Sequence, residues 1–160
     1  DLLEDATRFY QVQLKNSPTA LDYVIKKRGF DRNTVLEWRI GYSPNTGDAL
    51  TKFLRGKGYS ENELKLAGVV TTRYRGTEDM FKGRVMIPLC DASGRVIGYT
   101  ARQLEEDDKS PKYINTPQTV LYDKSRHIFG LHLQFSTIKV GTFLAFIWRK
   151  SPFVRMASQF

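Results

Sequence analysis

The chain has one cysteine, Cys90, among 160 residues. A single thiol excludes a disulfide framework and a cysteine-based zinc site, and it makes the reducing cytoplasm the expected setting. Histidine is almost as scarce. His127 and His132 stand five apart, which does not stack them on one helical face, and no second ligand pair accompanies them. The four ligands of a structural metal site are not there. The longest apolar run, Phe143 to Trp148, is far short of the ~20 residues that span a bilayer. No internal repeat or low-complexity tract appears, and the opening residues do not read as a signal peptide. A start at Asp1 instead of Met is expected of a piece excised from something longer. Acid is missing from one end: no Asp or Glu follows Asp123, whereas Lys124, Arg126, Lys139, Arg149, Lys150 and Arg155 do.

What is present is ordinary for a globular domain, with 41% apolar and 26% charged residues in a length that suits one domain. The net charge is +8 and the pI near 9.6. A surface of that sign attracts polyanions over about a Debye length. Residues 1–80 are close to balanced, with 13 basic and 11 acidic groups, so the excess lies towards the C-terminus.

Leu2, Leu3, Ala6, Phe9, Tyr10 and Leu14 recur at helical spacing, which predicts an amphipathic helix from Asp1 to Lys15. Ser17 as N-cap and Pro18 at the first position predict a second helix that Gly29 closes. Lys26, Lys27 and Arg28 suit its C-terminal end electrostatically. Asp31 is expected to cap a third helix, Asp48 a fourth that reaches about Lys57, and Ser60 with Glu63 forms a capping-box pattern for a fifth. Between them, Arg39 to Pro44 read as a turn. The aromatic residues of this stretch read as core.

From Val69 the pattern changes to strand. Runs from Arg84 to Leu89 and from Arg95 to Arg102, joined through Asp91 and Gly94, predict a hairpin. Alternation puts Val85, Ile87 and Leu89 on a core face and lets Arg84 project from the other; in the partner strand Val96, Gly98, Thr100 and Arg102 share one face. Pro111 and Pro117 bracket Lys112 and Asn115 in a segment held extended. Glu105, Glu106, Asp107 and Asp108 read as a solvated loop, because four consecutive carboxylates cannot all point at one ion. Arg102, Lys112 and Lys124 thus stand on three differently shaped pieces that are expected to converge. The expected fold is α+β: a helical lobe over 1–68, then a small, mainly antiparallel sheet, a basic loop and a helix from about Lys124 to Lys139 within 69–140.

Four stretches, in this order and spacing, resemble the catalytic core of bacterial-type DNA primases, in the subdomain before their metal-binding TOPRIM fold. They are Ile40 to Asp48, Arg84 to Asp91, Gly94 to Arg102, and Lys112 to Gly130 with Lys124, Phe129 and Gly130. The resemblance covers about the first 140 residues and implies a part in primer synthesis, in which RNA is polymerised on a DNA template at the replication fork of the nucleoid. It implies that Arg84, Arg102, Lys112 and Lys124 grip the phosphates of single-stranded template or of ribonucleoside triphosphates. Arg126 and Lys82 would support them, Asn115 would add a neutral hydrogen bond, and Arg39 would lie near the groove. Phosphate grip needs Lys and Arg and little base reading.

Nucleotidyl transfer also needs two metal ions, Mg2+ or Mn2+, held by carboxylates. In the family a strand matching Thr142 to Ile147 ends in Glu and Gly, and later strands bring paired aspartates; here Trp148, Arg149 and Lys150 follow. Residues 141–160 are therefore expected to be the start of a truncated or altered TOPRIM segment, and this chain alone is expected not to polymerise. A frame error, a truncation with an unrelated tail and true divergence each explain that end. The family's zinc module and the region that meets the replicative helicase are expected outside this chain. The family's Phe and two glycines before Arg102 are Tyr99, Thr100 and Ala101 here. The alternative reading is a non-catalytic single-stranded nucleic-acid-binding module that has lost the metal site.

Overall fold

The computed structural model of the chain describes residues 2–74, 76–105 and 109–123. Helix α1 (Leu2–Asn16) forms as its periodicity predicts and buries Leu3, Ala6, Phe9, Tyr10 and Leu14. Helix α2 (Pro18–Asp22) starts as expected, with the Ser17 hydroxyl accepting from the Ala20 N–H at 3.3 Å. It does not run on as one α-helix to Gly29. Tyr23–Lys27 widen into a π-helical turn, closed by the Arg28 N–H donating to the Tyr23 carbonyl at 3.0 Å. Helix α3 (Arg32–Glu37) is capped by Asp31, which accepts from the Thr34 N–H at 2.7 Å.

The segment expected to be a turn contains a strand, β1 (Gly41–Ser43). Gly41 permits it, because a Cβ at this position would lie 2.5 Å from the Tyr10 Cβ on α1. Helix α4 (Ala49–Gly56) follows, but Asp48 does not cap it. That carboxylate pairs with Lys52 at 2.8 Å. The cap comes from Asp79, whose Oδ2 accepts from the Leu50 N–H at 2.9 Å, and whose Oδ1 accepts from the Thr51 N–H at 2.9 Å and hydroxyl at 2.6 Å. Helix α5 (Glu61–Leu66) has the expected capping box of Ser60 and Glu63.

Strands β2 (Val70–Arg73) and β3 (Gly76–Asp79) make a two-stranded antiparallel ribbon. Strands β4 (Arg84–Cys90), β5 (Val96–Gln103) and β6 (Tyr113–Asn115) join β1 in a second, fully antiparallel sheet of order β1-β4-β5-β6. At the β4–β5 turn Asp91 accepts from the N–H groups of Ser93 at 2.9 Å and Arg95 at 3.0 Å, and Gly94 takes a φ of +84°.

Two expectations about this hairpin need correction. Strand β4 has no solvent face: every residue is buried, Arg84 included. Met86 and Cys90 pack with α1, α4 and α5, while Val85 and Ile87 pack with Leu14, Ala20, Tyr23, Val24 and Trp38. The faces of β5 also exchange near its start. Leu89 pairs with Gly98 and Cys90 with Val96, which leaves Ile97 unpaired as a one-residue bulge. Beyond it Val96 joins Tyr99 and Ala101 in the α1 core, and Ile97 joins Leu89 and Tyr122. The expected helix from Lys124 and strand from Thr142 lie outside the described residues.

Tyr99 joins two elements through its phenol oxygen. Its hydroxyl donates to the Leu3 carbonyl at 2.6 Å and shares a 2.9 Å hydrogen bond with the Thr7 hydroxyl, so β5 is tied to the first turns of α1. Among the described residues no helix is long and apolar enough to cross a membrane.

Candidate nucleic-acid interface

The pleat distributes the cations of β4 and β5 over two sides of the sheet. Arg84 and Gln103 are register partners and share the side of Met86 and Ala101; Val85 and Arg102 are partners on the other. On the first side lies a cleft of about 600 Å³. Thr71 and Arg73 of the ribbon line it together with Tyr42 and Asn45, and Lys82, Gly83, Arg84, Gln103, Leu104 and Glu105 meet them from the open end of the β4–β5 hairpin. Burial, with Glu105 nearby, pushes the Tyr42 phenol up.

Three cations line this cleft. Lys82 is half-buried and pairs with Glu78 at 2.8 Å; Arg73 stands 3.9 Å from the same carboxylate. Arg84 donates through Nη1 to the Lys112 carbonyl at 3.3 Å, and that carbonyl also accepts from the Gln103 N–H at 2.9 Å. One backbone oxygen therefore places Lys112, whose side chain is exposed, against Arg84. Pro111 lines the same cleft just before it. The Gln103 amide donates to the Ser110 hydroxyl at 2.9 Å, while its buried Oε1 has no partner among the described residues.

On the second side Arg102 is 7% exposed. Its Nε donates to the Tyr23 hydroxyl at 2.6 Å, and its guanidinium lies 4.9 Å from the centre of the Tyr113 ring while Nη1 donates to the Tyr113 hydroxyl. The Tyr23 oxygen also accepts from Arg28, from Nε at 2.8 Å and Nη2 at 2.6 Å. Asn115, half-buried, pairs with Thr100 two residues along the same face as Tyr113. Of the three cations expected to converge, Lys112 stands beside Arg84 on one side of the sheet and Arg102 stands with Arg28 on the other, while Lys124, like Arg126, lies outside the described residues.

Arg39 stands apart from both. It holds a φ of +52° and donates to the Glu4 carboxylate through Nη1 at 3.0 Å and Nη2 at 2.5 Å. Arg28 is the residue that sequence reasoning passed over, as a helix-end cation. Residues five apart do not share an α-helical face, and only the π-turn folds Arg28 back over Tyr23. Among the described residues no group of three His, Cys, Asp or Glu side chains could hold a metal ion. Glu105 is exposed beside the cleft; Glu106, Asp107 and Asp108 lie outside the described residues.

The family model of the DNA primase catalytic core, N-terminal domain, matches residues 9–135. The chain belongs to that family. The DNA primase of Streptomyces coelicolor is 44% identical over 130 residues, which cover 80% of this chain and 20% of that protein. The chain therefore spans about a fifth of the length of the curated relatives it matches. Among solved structures, the RNA polymerase domain of Mycobacterium tuberculosis primase DnaG, in complex with a double-stranded DNA oligomer with a 6-nucleotide overhang, superposes with a TM-score of 0.77 at 35% identity. That match covers 86% of this chain and 44% of the other. A DnaG primase catalytic domain bound to ssDNA gives a TM-score of 0.73 at 35% identity, over 84% of this chain and 44% of that one. The expected resemblance and α+β fold of this primase-core domain are borne out.

Proposed function

We propose that this chain supplies the surface that grips template and nucleotide in a bacterial-type DNA primase, which polymerises ribonucleotides into primers on single-stranded DNA during replication. The observation that carries this reading is the match of its fold to a primase domain in complex with DNA, in a chain that presents cations on both sides of its central hairpin. Polyanion grip is sequence-independent work for Lys and Arg. Arg84 and Lys112, supported by Lys82, face the cleft side; Arg102 and Asn115, joined by Arg28, face the other; Lys124 and Arg126 extend the basic set. Arg39 has a weaker claim, since Glu4 already occupies its guanidinium.

Primer synthesis further draws on Mg2+ or Mn2+ held by carboxylates, and the described residues do not fit that task. By this reading the carboxylates belong to TOPRIM residues that this chain lacks, and the chain alone does not polymerise. Zinc is held in a separate module, and the replicative helicase is met by other regions of the full-length protein at the replication fork.

The test is binding to a fluorescent deoxythymidine oligomer across a salt series, for the chain and its Lys112→Ala, Lys124→Ala variant. Two lost phosphate contacts should flatten the log–log salt slope by about 1.4, with an unchanged melting temperature. Equal affinity and slope in both proteins would reject the assignment of the groove.

A further inference from the structure

Gln103 is 6% exposed, and its Oε1 is buried with no donor among the described residues. An acceptor left unpaired in a dry place is costly, so a glutamine kept there calls for a donor that arrives from outside. The backbone of this residue is pinned: its N–H donates to the Lys112 carbonyl at 2.9 Å, and the Leu104 N–H donates to the Gly83 carbonyl at 3.1 Å. The side chain is not, because the terminal torsion of a glutamine is broad. It projects to the side of the sheet that it shares with Arg84 and lines the cleft of about 600 Å³. Among the described residues the amide makes one hydrogen bond, from Nε2 to the Ser110 hydroxyl at 2.9 Å, and Ser110 lines the same cleft. A group entering there has only that contact to replace before it meets both ends of the amide.

The cleft has the volume of a small-molecule pocket. Tyr42, Met80, Leu104 and Ile114 give it ring and alkyl surface around the amide. A nucleobase suits such a lining, with an apolar face and a polar edge. Among the bases, adenine alone sets a donor beside an acceptor on its major-groove edge, N6–H next to N7. Guanine presents two acceptors there, cytosine a donor, and thymine an acceptor and a methyl group.

We propose that the cleft takes an unstacked adenine base and that Gln103 reads it, Oε1 accepting from N6 while Nε2 donates to N7. The orphaned acceptor gains its donor, and the bond given up to Ser110 is replaced. This rests on the phosphate-gripping reading above for the chain of phosphates that carries the base, and it adds a preference among bases that phosphate contacts cannot give. The adenine belongs either to a single strand or to a nucleoside triphosphate, and the edge presented to Gln103 is the same in both.

The test compares a fluorescent deoxythymidine oligomer with the same oligomer carrying one central deoxyadenosine, and ATP with UTP, as ligands of the chain, of Gln103→Leu and of Ser110→Ala. The expected result is about a tenfold preference for adenine in at least one of the two comparisons, the worth of one bidentate base contact. Gln103→Leu should abolish it and Ser110→Ala should keep it. A preference between the oligomers identifies a base of the strand; one confined to ATP over UTP identifies the nucleotide. Because each preference is a ratio within one protein, any general weakening of the fold by a substitution cancels. A preference that survives Gln103→Leu, or an unaltered chain that shows none, would overturn the proposal. So would an equal loss in Ser110→Ala, which would assign Gln103 to holding that residue in place. If adenine is not preferred while Lys112→Ala, Lys124→Ala still weakens both oligomers alike, the adenine site falls and the gripping reading stands. If the chain binds neither oligomer nor nucleotide, both fall.

Discussion

Asp79 is a buried carboxylate that serves as the N-cap of a helix 28 residues earlier in the chain. It satisfies two backbone N–H groups and one hydroxyl that would otherwise be orphaned in a dry environment. Asp79→Ala should cost about 2–4 kcal/mol, measured by urea denaturation, whereas Asp48→Ala should cost only a few tenths. Sequence reasoning chose Asp48, because local spacing is visible in a sequence and a partner across the fold is not. The same limit hid Arg28. A cation five residues after a tyrosine has no meaning on an α-helix, and nothing in the composition of residues 23–28 announces a wider turn. Arg84, Arg102 and Lys112 became candidate site residues only through family resemblance, since a buried arginine and an exposed one look alike in sequence.

At the scale of elements, the helices were legible through periodicity in α1 and through their caps in α3 and α5. Strand β4 was legible as a strand, but not in its facing, because helices cover one side and α2 with its π-turn the other, so its alternation carries no polarity. The bulge at Ile97 was hidden for a related reason: both neighbours of that residue are small or apolar, and either register buries something. Strands β1 and β6 have three residues each, too few for a period. Gly41 marks where β1 is held. Gly41→Ala forces a methyl group into the Tyr10 backbone and side chain, and should cost about 3 kcal/mol, read as a lower thermal midpoint with α1 and β1 displaced together.

For the whole molecule, several carboxylates are set below their ordinary range by specific partners. The Thr77 hydroxyl and Lys65 hold Glu61 at about 2, and the Ser93 hydroxyl, with the backbone of Arg95, holds Asp91 at about 2. Arg39 lowers Glu4 through the same bidentate contact that fixes its own position. A group that is more acidic in the folded state than in the unfolded chain adds stability above its unfolded value, and that contribution disappears as pH falls through the folded one. The thermal midpoint should therefore decline between about pH 4.5 and pH 2, and Glu61→Gln should make the decline shallower. Calorimetry across that interval checks both. Base acts too: burial pushes the Cys90 thiol up to about 11, above the value near 9 of the unfolded chain, so the thermal midpoint should also fall as pH rises from about 9 towards 11.

The reach of Asp79 from the ribbon into α4 also makes the cleft a gauge of fixed bore. Thr71 and Arg73 form its outer jaw on β2, and β2 is laced to β3, which ends at that carboxylate. Swinging the jaw outward would draw that carboxylate off the first turn of α4 and leave the Leu50 and Thr51 N–H groups without their acceptor. Opening the cleft and fraying α4 are one event with one free energy, so an occupant must fit the bore as it stands.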